Sequence, residues 1–239
     1  MDPFVLETIN DRVEQVLERI EKTAQSCGRN SADIELVAVT KQKSAAVVKE
    51  LSESGIKKIG ESYLKEALFK IGILQDYQLE WHMIGTIQHG KEKQIAQHFA
   101  EVHSVDRITV AEELSRRAEQ AQRVIPVYLE YNVSGEGTKH GWQGRDSHLW
   151  EKLLPEFEQV IKLSSLKVKG LMTMAPYDID PEEARPYFIR LRKLRDYLAK
   201  KYPGVNLEGL SMGMSGDFET AIEEGATVLR IGSALVGPR

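Results

Sequence analysis

Hydrophobic residues along this chain repeat with two different periods, and segments of the two kinds alternate. Short apolar runs rich in Val, Ile and Leu are typical of strands buried on both faces, whereas apolar residues spaced three and four apart indicate amphipathic helices. The strands predicted in this way are 34–40, 57–60, 80–85, 101–105, 124–131, 166–171, 206–210 and 227–231. The helices predicted between them are 44–53, 62–75, 90–98, 107–122, 147–162, 182–201 and 217–224.

One further helix is predicted ahead of the first strand, over residues 4–26. Its apolar positions share one face at helical spacing, and they are Leu6, Ile9, Val13, Val16, Leu17, Ile20 and Ala24. Gly28 follows, as a left-handed cap at the end of a helix would. We expect residues 1–28 to form a helix that covers one end of the fold.

The alternation of strands and helices predicts an α/β protein with a parallel sheet and right-handed crossovers. Eight strands favour a closed (β/α)8 TIM barrel, with residues 1–239 forming a single domain. An open sheet that binds a dinucleotide would carry Gly-x-Gly-x-x-Gly after its first strand. Residues 40–43 read Thr-Lys-Gln-Lys at that position, which disfavours the open sheet.

Composition narrows the class of protein. The chain is 41% hydrophobic and 28% charged, as ordinary globular proteins are. No run approaches the roughly 20 apolar residues of a membrane span, and the N-terminus lacks the features of a signal peptide. Cys27 is the only cysteine, which excludes internal disulfides and cysteine metal clusters. The net charge of −4, without a basic stripe, argues against nucleic acid. We expect a cytoplasmic protein with no membrane or nucleic-acid partner.

Chemistry in such a barrel resides on the loops that follow the C-terminal ends of the strands. Lys41 ends the first strand and brings an amine to this rim, although a lysine is also a simple way for a buried strand to reach water. Small residues after strands seven and eight would let backbone N–H groups approach an anion. The candidate phosphate donors there are Ser211, Gly232 and Ser233, residue types that also form ordinary turns.

Arg230 interrupts the apolar strand 227–231. A buried guanidinium needs hydrogen-bonding partners and keeps its charge at ordinary pH. Two interpretations follow from the residues alone. Arg230 either forms an ion pair inside the barrel with a carboxylate such as Glu61, or provides a fixed cation that faces the ring or carboxylate of a ligand.

Other motifs are weaker. Residues 209–213 match the Gly-x-Ser-x-Gly elbow of α/β-hydrolases, but the last histidine is His148, and that fold requires one after the serine. Residues 85–92 resemble a phosphate-binding loop that lacks its final Ser or Thr. The histidines show no spacing typical of metal ligands, and His82 is expected to be a satisfied core residue. The loop 132–144 is either a lid or a surface excursion.

Several segments occur in an order that is typical of one family. They are Val37-Ala38-Val39-Thr40-Lys41, Gly60-Glu61-Ser62-Tyr63, His82-Met83-Ile84-Gly85 with Gln88, His103-Ser104-Val105-Asp106, Ser134-Gly135-Glu136 with Lys139-His140-Gly141, Gly170-Leu171-Met172-Thr173, Leu210-Ser211-Met212-Gly213-Met214-Ser215 and Arg230-Ile231-Gly232-Ser233. Over nearly its whole length the chain resembles the pyridoxal phosphate homeostasis proteins. It departs from them at Ser62 and Gly90, where that family usually has Asn, and the first change weakens any role for position 62 in cofactor contact.

The resemblance implies a fold-type III barrel that binds pyridoxal 5'-phosphate, like the N-terminal domain of alanine racemase. It implies that Lys41 forms a Schiff base with the cofactor aldehyde and that Arg230 faces the pyridine nitrogen. The groups that it implies for the phosphate are Ser211, the Met212 amide, Gly232 and Ser233. An arginine does not share a proton with the ring nitrogen as a carboxylate would, which weakens the ring as an electron sink.

The function implied by the resemblance is to carry or buffer pyridoxal phosphate in vitamin B6 homeostasis, as a monomer without robust catalysis. Related racemases and decarboxylases carry a second, β-rich domain, and we expect none after the last strand. Transient contact with pyridoxal phosphate-dependent apo-enzymes is compatible with this function. One alternative is an amino-acid racemase or decarboxylase that works with the barrel alone. Another is a phosphosugar enzyme without this cofactor, in which Lys41 acts directly on substrate.

Overall fold

Strands and helices alternate from Ile9 to Val236 in the computed structural model, which describes residues 7–177 and 179–237. The strands are β1 (Glu35–Val39), β2 (Lys58–Glu61), β3 (Glu80–Met83), β4 (Glu101–Val105), β5 (Ile125–Asn132), β6 (Trp142–Gln143), β7 (Leu166–Met172), β8 (Gly209–Ser211) and β9 (Val228–Ile231). The helices are α1 (Ile9–Ser26), α2 (Ala45–Glu53), α3 (Leu64–Ile73), α4 (Glu92–His98), α5 (Ile108–Gln120), α6 (Leu154–Ile161), α7 (Pro181–Lys201), α8 (Phe218–Glu223) and α9 (Ser233–Val236). Two 3-10 segments accompany them, Ser31–Asp33 and Ser147–Leu153.

Eight of the strands close into a parallel barrel. Neighbouring strands follow the order β4-β3-β2-β1-β9-β8-β7-β5, and a pairing of β4 with β5 completes the ring. The short strand β6 is appended to β5. The predicted (β/α)8 barrel is therefore confirmed, and β6 is a detail that a two-residue pattern could not predict.

Apolar side chains form one large cluster and one small cluster. The large one joins strand residues such as Ala38 to the inner faces of the helices, for example Leu51 and Phe157. The small one comprises Val37, Tyr128, Met172 and Val228. Because successive strand residues point to opposite faces, Val37 faces the barrel interior while Ala38 faces the helices. Few apolar side chains line the barrel interior, so most of the side chains that line it are polar.

Helix α1 packs against α2, α8 and α9. Its N-terminus is capped by Thr8, whose side chain accepts a hydrogen bond from the Asp11 N–H. These neighbours belong to the outer layer of helices, so α1 lies between the last and the first helices of the ring, whereas we expected it to cover one end. The predicted start of this helix at residue 4, and Leu6, lie outside the described residues.

None of the helices in the described part of the chain combines the length and apolarity that a membrane crossing requires.

The predicted helix 147–162 is divided in two. A 3-10 segment, Ser147–Leu153, leads into α6, whose first turn contains Pro155. Proline lacks an N–H and is best tolerated in the first turn of a helix, so the regular helix begins beside it.

Two glycines face each other where β7 and β8 pair, and they give a test of this packing. Gly170 and Gly209 are register partners, and a Cβ on Gly170 would overlap the Gly209 carbonyl. We expect Gly170→Ala to lower the free energy of unfolding by about 2 kcal/mol, because backbone atoms must move. Denaturant unfolding measures the change.

Gly72→Ala in α3 is the matched control for that substitution. A Cβ there meets nothing within 4 Å, so the better helix propensity of alanine should raise stability by about 0.5–1 kcal/mol. Equal effects of the two substitutions would contradict the close approach of β7 and β8.

Candidate functional site

The C-terminal ends of β1, β8 and β9 lie side by side. In the register of β1 with β9, Val37 lies opposite Arg230 and Ala38 opposite Ile231. Strand β9 also pairs with β8. Lys41, just past the end of β1, therefore lies on the same rim as the turns that follow β8 and β9. Residues from the two ends of the chain meet here because the first and last strands of the barrel are neighbours.

Lys41 is half-buried and lies in the turn that follows β1. The preceding residue, Thr40, is fully buried. The following residue, Gln42, has a φ of 64°, in the left-handed region that residues other than glycine rarely adopt. The Lys43 N–H donates to the Thr40 carbonyl at 3.0 Å and closes the turn.

A buried ion-pair network holds this turn from the side of α3. Lys70 Nζ donates to the Thr40 carbonyl at 2.7 Å and to both Glu61 Oε1 and Glu66 Oε1 at 2.6 Å. Thr40 Oγ1 donates to Glu61 Oε1 at 2.6 Å, and the Gln42 N–H donates to Glu66 Oε1 at 2.7 Å. Burial raises the pKa of Glu61, and the hydrogen bond from Lys70 opposes that rise. The network thus reaches the backbone on both sides of Lys41.

The turns after β8 and β9 contact each other through a serine. Ser215 Oγ accepts hydrogen bonds from the N–H groups of Gly232 and Ala234, each at 3.2 Å. Gly213, in the turn after β8, has a φ of 95°, and a Cβ there would lie 2.7 Å from the Ala221 Cβ. Only glycine meets both constraints. The two turns form a surface of small residues and backbone N–H groups.

Two of the predicted phosphate donors lie elsewhere. Ser211 is fully buried in the barrel, where its Oγ accepts a hydrogen bond from Arg230 at 2.6 Å and lies 2.8 Å from His103 Nδ1. The Met212 N–H donates to the Val228 carbonyl at 3.0 Å, within the barrel wall. Both groups are engaged by the barrel itself. The serine that meets the turn after β9 is Ser215, and the other two predicted donors, Gly232 and Ser233, lie in that turn.

Arg230 lies beneath this rim, inside the barrel, and is only 4% exposed. One guanidinium nitrogen donates to Ser211 Oγ, and another donates to the Thr173 carbonyl at 2.8 Å. Burial lowers the pKa of Arg230 to about 10, so the group remains a cation at neutral pH. Of the two interpretations of Arg230, an ion pair with a carboxylate such as Glu61 is wrong for Glu61, because Glu61 pairs with Lys70.

Glu130 supplies a buried carboxyl group near this cation. Burial is the main cause that raises its pKa to about 7, and the nearby Asp106 raises it further while Arg230 lowers it. Burial also raises the pKa of Asp106, against the effect of Arg107. The Glu130 carboxyl group therefore keeps its proton to a higher pH than an exposed glutamate does.

A chain of polar side chains continues beneath the guanidinium. His103 Nδ1 approaches Ser211 Oγ, and His103 Nε2 lies 3.0 Å from His82 Nδ1 and 3.1 Å from Glu101 Oε1. Lys169 Nζ donates to Glu101 Oε2 at 2.9 Å. We assign Ser211 as the donor to His103 Nδ1 and His103 Nε2–H as the donor to His82, because this tautomer also directs an N–H toward Glu101. His82 is buried as predicted, but its Nε2 has no hydrogen-bond partner among the described residues.

His82, His103 and Glu101 offer ligand atoms within 4.8 Å of one another, as metal ligands do. Two features disfavour a divalent ion there. The ring nitrogens already hydrogen-bond to each other, and the chain is flanked by the cations of Lys169 and Arg230, which would repel a further positive charge. Sequence spacing could not predict this cluster, since its members come from neighbouring strands and meet only through the barrel.

The loop 132–144 is tied down by its own side chains. Asn132 Nδ2 donates to the Glu136 carbonyl at 2.8 Å, and Asn132 Oδ1 accepts from the Gly135 N–H at 2.8 Å. Lys139 pairs with Glu136 and donates to the Met174 carbonyl at 3.1 Å. Since Met174 follows β7, the loop contacts another segment of the same rim, which favours a structured cover over a surface excursion.

Comparison with known proteins identifies close relatives. Residues 13–239 match the family described as "Alanine racemase, N-terminal domain". The pyridoxal phosphate homeostasis protein of Aquifex aeolicus is 43% identical over 229 residues, which cover 96% of this chain and 97% of the relative. The protein of the same name from Pseudomonas aeruginosa is 41% identical over 235 residues, which cover 98% of this chain and 97% of the relative.

Solved structures extend the comparison. PipY of Synechococcus elongatus, in a structure with PLP bound, is 31% identical, with a TM-score of 0.83 over 96% of this chain and 100% of that chain. An alanine racemase of Clostridium difficile is 15% identical, with a TM-score of 0.71 over 96% of this chain and 57% of that chain. The second likeness shows a shared barrel fold.

His82 and Glu130 should give the stability of the protein opposite pH dependences. Burial lowers the pKa of His82 from 6.5 to about 3. Between these values the unfolded chain binds a proton that the folded chain does not, so stability falls as pH falls. Glu130, whose pKa rises from 4.5 to about 7, binds its proton first in the folded chain, so its contribution grows as pH falls through that range.

We therefore expect His82→Gln to gain on the order of 1 kcal/mol relative to wild type for each unit that the pH falls from about 6 to about 4. Glu130→Gln should lose a similar amount per unit from about pH 7 to about pH 5. Urea unfolding at each pH measures both differences. If the difference in the free energy of unfolding between each variant and wild type did not change with pH, the buried environments of His82 and Glu130 would be contradicted.

Proposed function

Because this chain belongs to the pyridoxal phosphate homeostasis protein family, we propose that it binds pyridoxal 5'-phosphate reversibly and so takes part in vitamin B6 homeostasis. The observation that carries the proposal is the convergence of three groups on one rim. These are the amine of Lys41, the small-residue turns that meet at Ser215, and the buried cation of Arg230. An amine, an anion site and a cation suit an aldehyde, a phosphate and a ring nitrogen respectively.

We propose Lys41 as the point of covalent attachment. When bound, the cofactor supplies an aldehyde that condenses with a lysine amine to form a Schiff base and release water. Lys41 is half-buried in a turn whose neighbouring backbone is held by the Lys70 network. Lys70 itself is a poor candidate, because its ammonium donates to three acceptors and its side chain is 3% exposed.

We propose that the phosphate binds between the turns after β8 and β9, held by Ser215 with Gly232 and Ser233. Ser215 replaces Ser211 and Met212 in this assignment, since those two are engaged inside the barrel. Ser215 Oγ accepts the Gly232 and Ala234 N–H groups, so its own O–H hydrogen and the exposed Ser233 hydroxyl are the donors left for an anion.

Arg230 would face the ring nitrogen of the bound cofactor. Two of the five N–H groups of its guanidinium engage Ser211 and the Thr173 carbonyl, which fixes the plane of the group. An arginine stays protonated and donates a hydrogen bond to an unprotonated nitrogen, so the ring does not gain the positive charge that would stabilise a carbanion. This choice of partner supports a carrier without robust catalysis.

The remaining parts of the proposal concern the cellular setting. We propose a cytoplasmic monomer that exchanges pyridoxal phosphate with solution and, through transient contacts, with apo-enzymes that need it. The network at Lys41 and the turn at Ser215 serve retention, and the loop 132–144 contacts the same rim at Met174.

Mass spectrometry of the borohydride-reduced protein tests the attachment site. We expect protein incubated with pyridoxal phosphate to carry one reduced adduct, located on Lys41, and Lys41→Ala to lose it. Lys43, in the same turn, is the matched control, and Lys43→Ala should keep the adduct. An adduct on Lys43, Lys65 or Lys91 would contradict the assignment. Rapid racemisation or decarboxylation of a common amino acid would contradict the carrier function.

A further inference from the structure

We propose that Lys70 is a positioning residue that fixes the direction of the Lys41 side chain by holding the backbone on both sides of it. This inference rests on the proposed attachment of pyridoxal phosphate at Lys41. It assigns a function to a buried amine that neither the barrel fold nor the rim chemistry explains. Lys70 belongs to α3, outside the strands, yet its ammonium reaches the end of β1.

The ammonium group uses all three of its hydrogens in this position. Its acceptors are the Thr40 carbonyl at 2.7 Å and one oxygen each of Glu61 and Glu66 at 2.6 Å. Three donors at tetrahedral angles fix the relative positions of three acceptors that come from three different segments. Lys70 therefore locks β1, β2 and α3 together at the point where the chain turns into Lys41.

The contacts lie on both sides of Lys41. On the preceding side, Lys70 holds the Thr40 carbonyl directly, and Glu61 holds the Thr40 hydroxyl. On the following side, Glu66 holds the Gln42 N–H at 2.7 Å. That second contact stabilises the left-handed conformation of Gln42, which otherwise costs energy in a residue with a Cβ. A change in either contact would rotate the Cα–Cβ bond of Lys41.

Charge explains why the acceptors depend on Lys70. Glu61 is fully buried, and its second oxygen, Oε2, has no hydrogen-bond partner among the described residues. Removal of the ammonium would leave the Glu61 carboxylate without its ion-pair partner. The carboxylate must then take up a proton or move toward solvent. Either response alters the contact of Glu61 with Thr40 Oγ1, and the Thr40 carbonyl loses its own donor at the same time, so Lys70 acts on Lys41 through the backbone.

Two ligands separate a positioning effect from general damage to the site. Pyridoxal 5'-phosphate carries the aldehyde that Lys41 attacks, whereas pyridoxine 5'-phosphate has an alcohol at that carbon and binds only non-covalently. We expect Lys70→Met to slow covalent attachment, followed by absorbance, at least about tenfold, as a misplaced nucleophile does. The dissociation constant for pyridoxine 5'-phosphate should change less than about twofold, because the turns after β8 and β9 are untouched.

Lys57 provides the matched control. Its Nζ also donates to a backbone carbonyl and a side chain, both of Ser52, but at the opposite end of the barrel strands. Lys57→Met should attach pyridoxal phosphate at the wild-type rate. If Lys70→Met does not fold, Glu66→Ala provides the test of the inference. This substitution removes only the contact to Gln42 and the ion pair of Lys70 with the partly exposed Glu66 carboxylate. We expect that variant to slow attachment several-fold while leaving pyridoxine 5'-phosphate binding intact.

The outcomes are distinct. Attachment at the wild-type rate in both Lys70→Met and Glu66→Ala would overturn the inference, and so would an equal loss of affinity for both ligands. A wild-type protein that forms no adduct at Lys41 would instead overturn the proposed function, whatever the variants do.

Discussion

The pairing of the first strand of the barrel with the last is the constraint on which the site depends. Lys41 follows β1, and the turns that carry Ser215 and Gly232 follow β8 and β9, yet all of them reach one rim because β1, β9 and β8 are consecutive in the ring. Parallel direction puts the C-terminal ends of all three strands on the same side. A shift of one residue in the register of β1 with β9 would turn Arg230 from the interior to the helices.

The interior of this barrel is polar, and hydrogen bonds together with the Lys169–Glu101 ion pair connect most of its polar side chains. Arg230, Ser211, His103 and Glu101 form a connected chain that ends at Lys169, and Glu130 lies near the guanidinium. Burying such groups costs free energy unless each finds a partner. The large apolar cluster between strands and helices supplies the compensating stability, so polar groups occupy the inside of the barrel and the apolar core lies on its outer face.

Periodicity predicted most of the fold from the sequence. The eight barrel strands and the helices between them follow from apolar spacing, and the barrel follows from their number and alternation. The position of α1 could not be predicted in this way, because an amphipathic pattern indicates that a helix is covered without identifying what covers it. Only the structure shows that α1 lies against α2, α8 and α9.

The candidate site was predicted in part, and the differences have physical causes. Lys41, Arg230 and Gly232 lie at or beneath the rim, because strand ends determine where such residues go. Ser211 ends β8 and Ser215 follows it, and composition cannot tell which of these two small residues points into the barrel. The contacts of Lys70 link a helix to a turn in another segment, and no local pattern records such a contact.

A crystal structure of the protein with pyridoxal 5'-phosphate would test whether Lys41, Ser215 and Arg230 form one binding site, because it locates both ends of the cofactor at once. We predict electron density continuous with Lys41 Nζ, with the phosphate between Ser215 and the turn at Gly232 and the ring nitrogen facing Arg230. Density that joins the cofactor to another lysine, or a phosphate bound away from the turns after β8 and β9, would contradict this arrangement of the site.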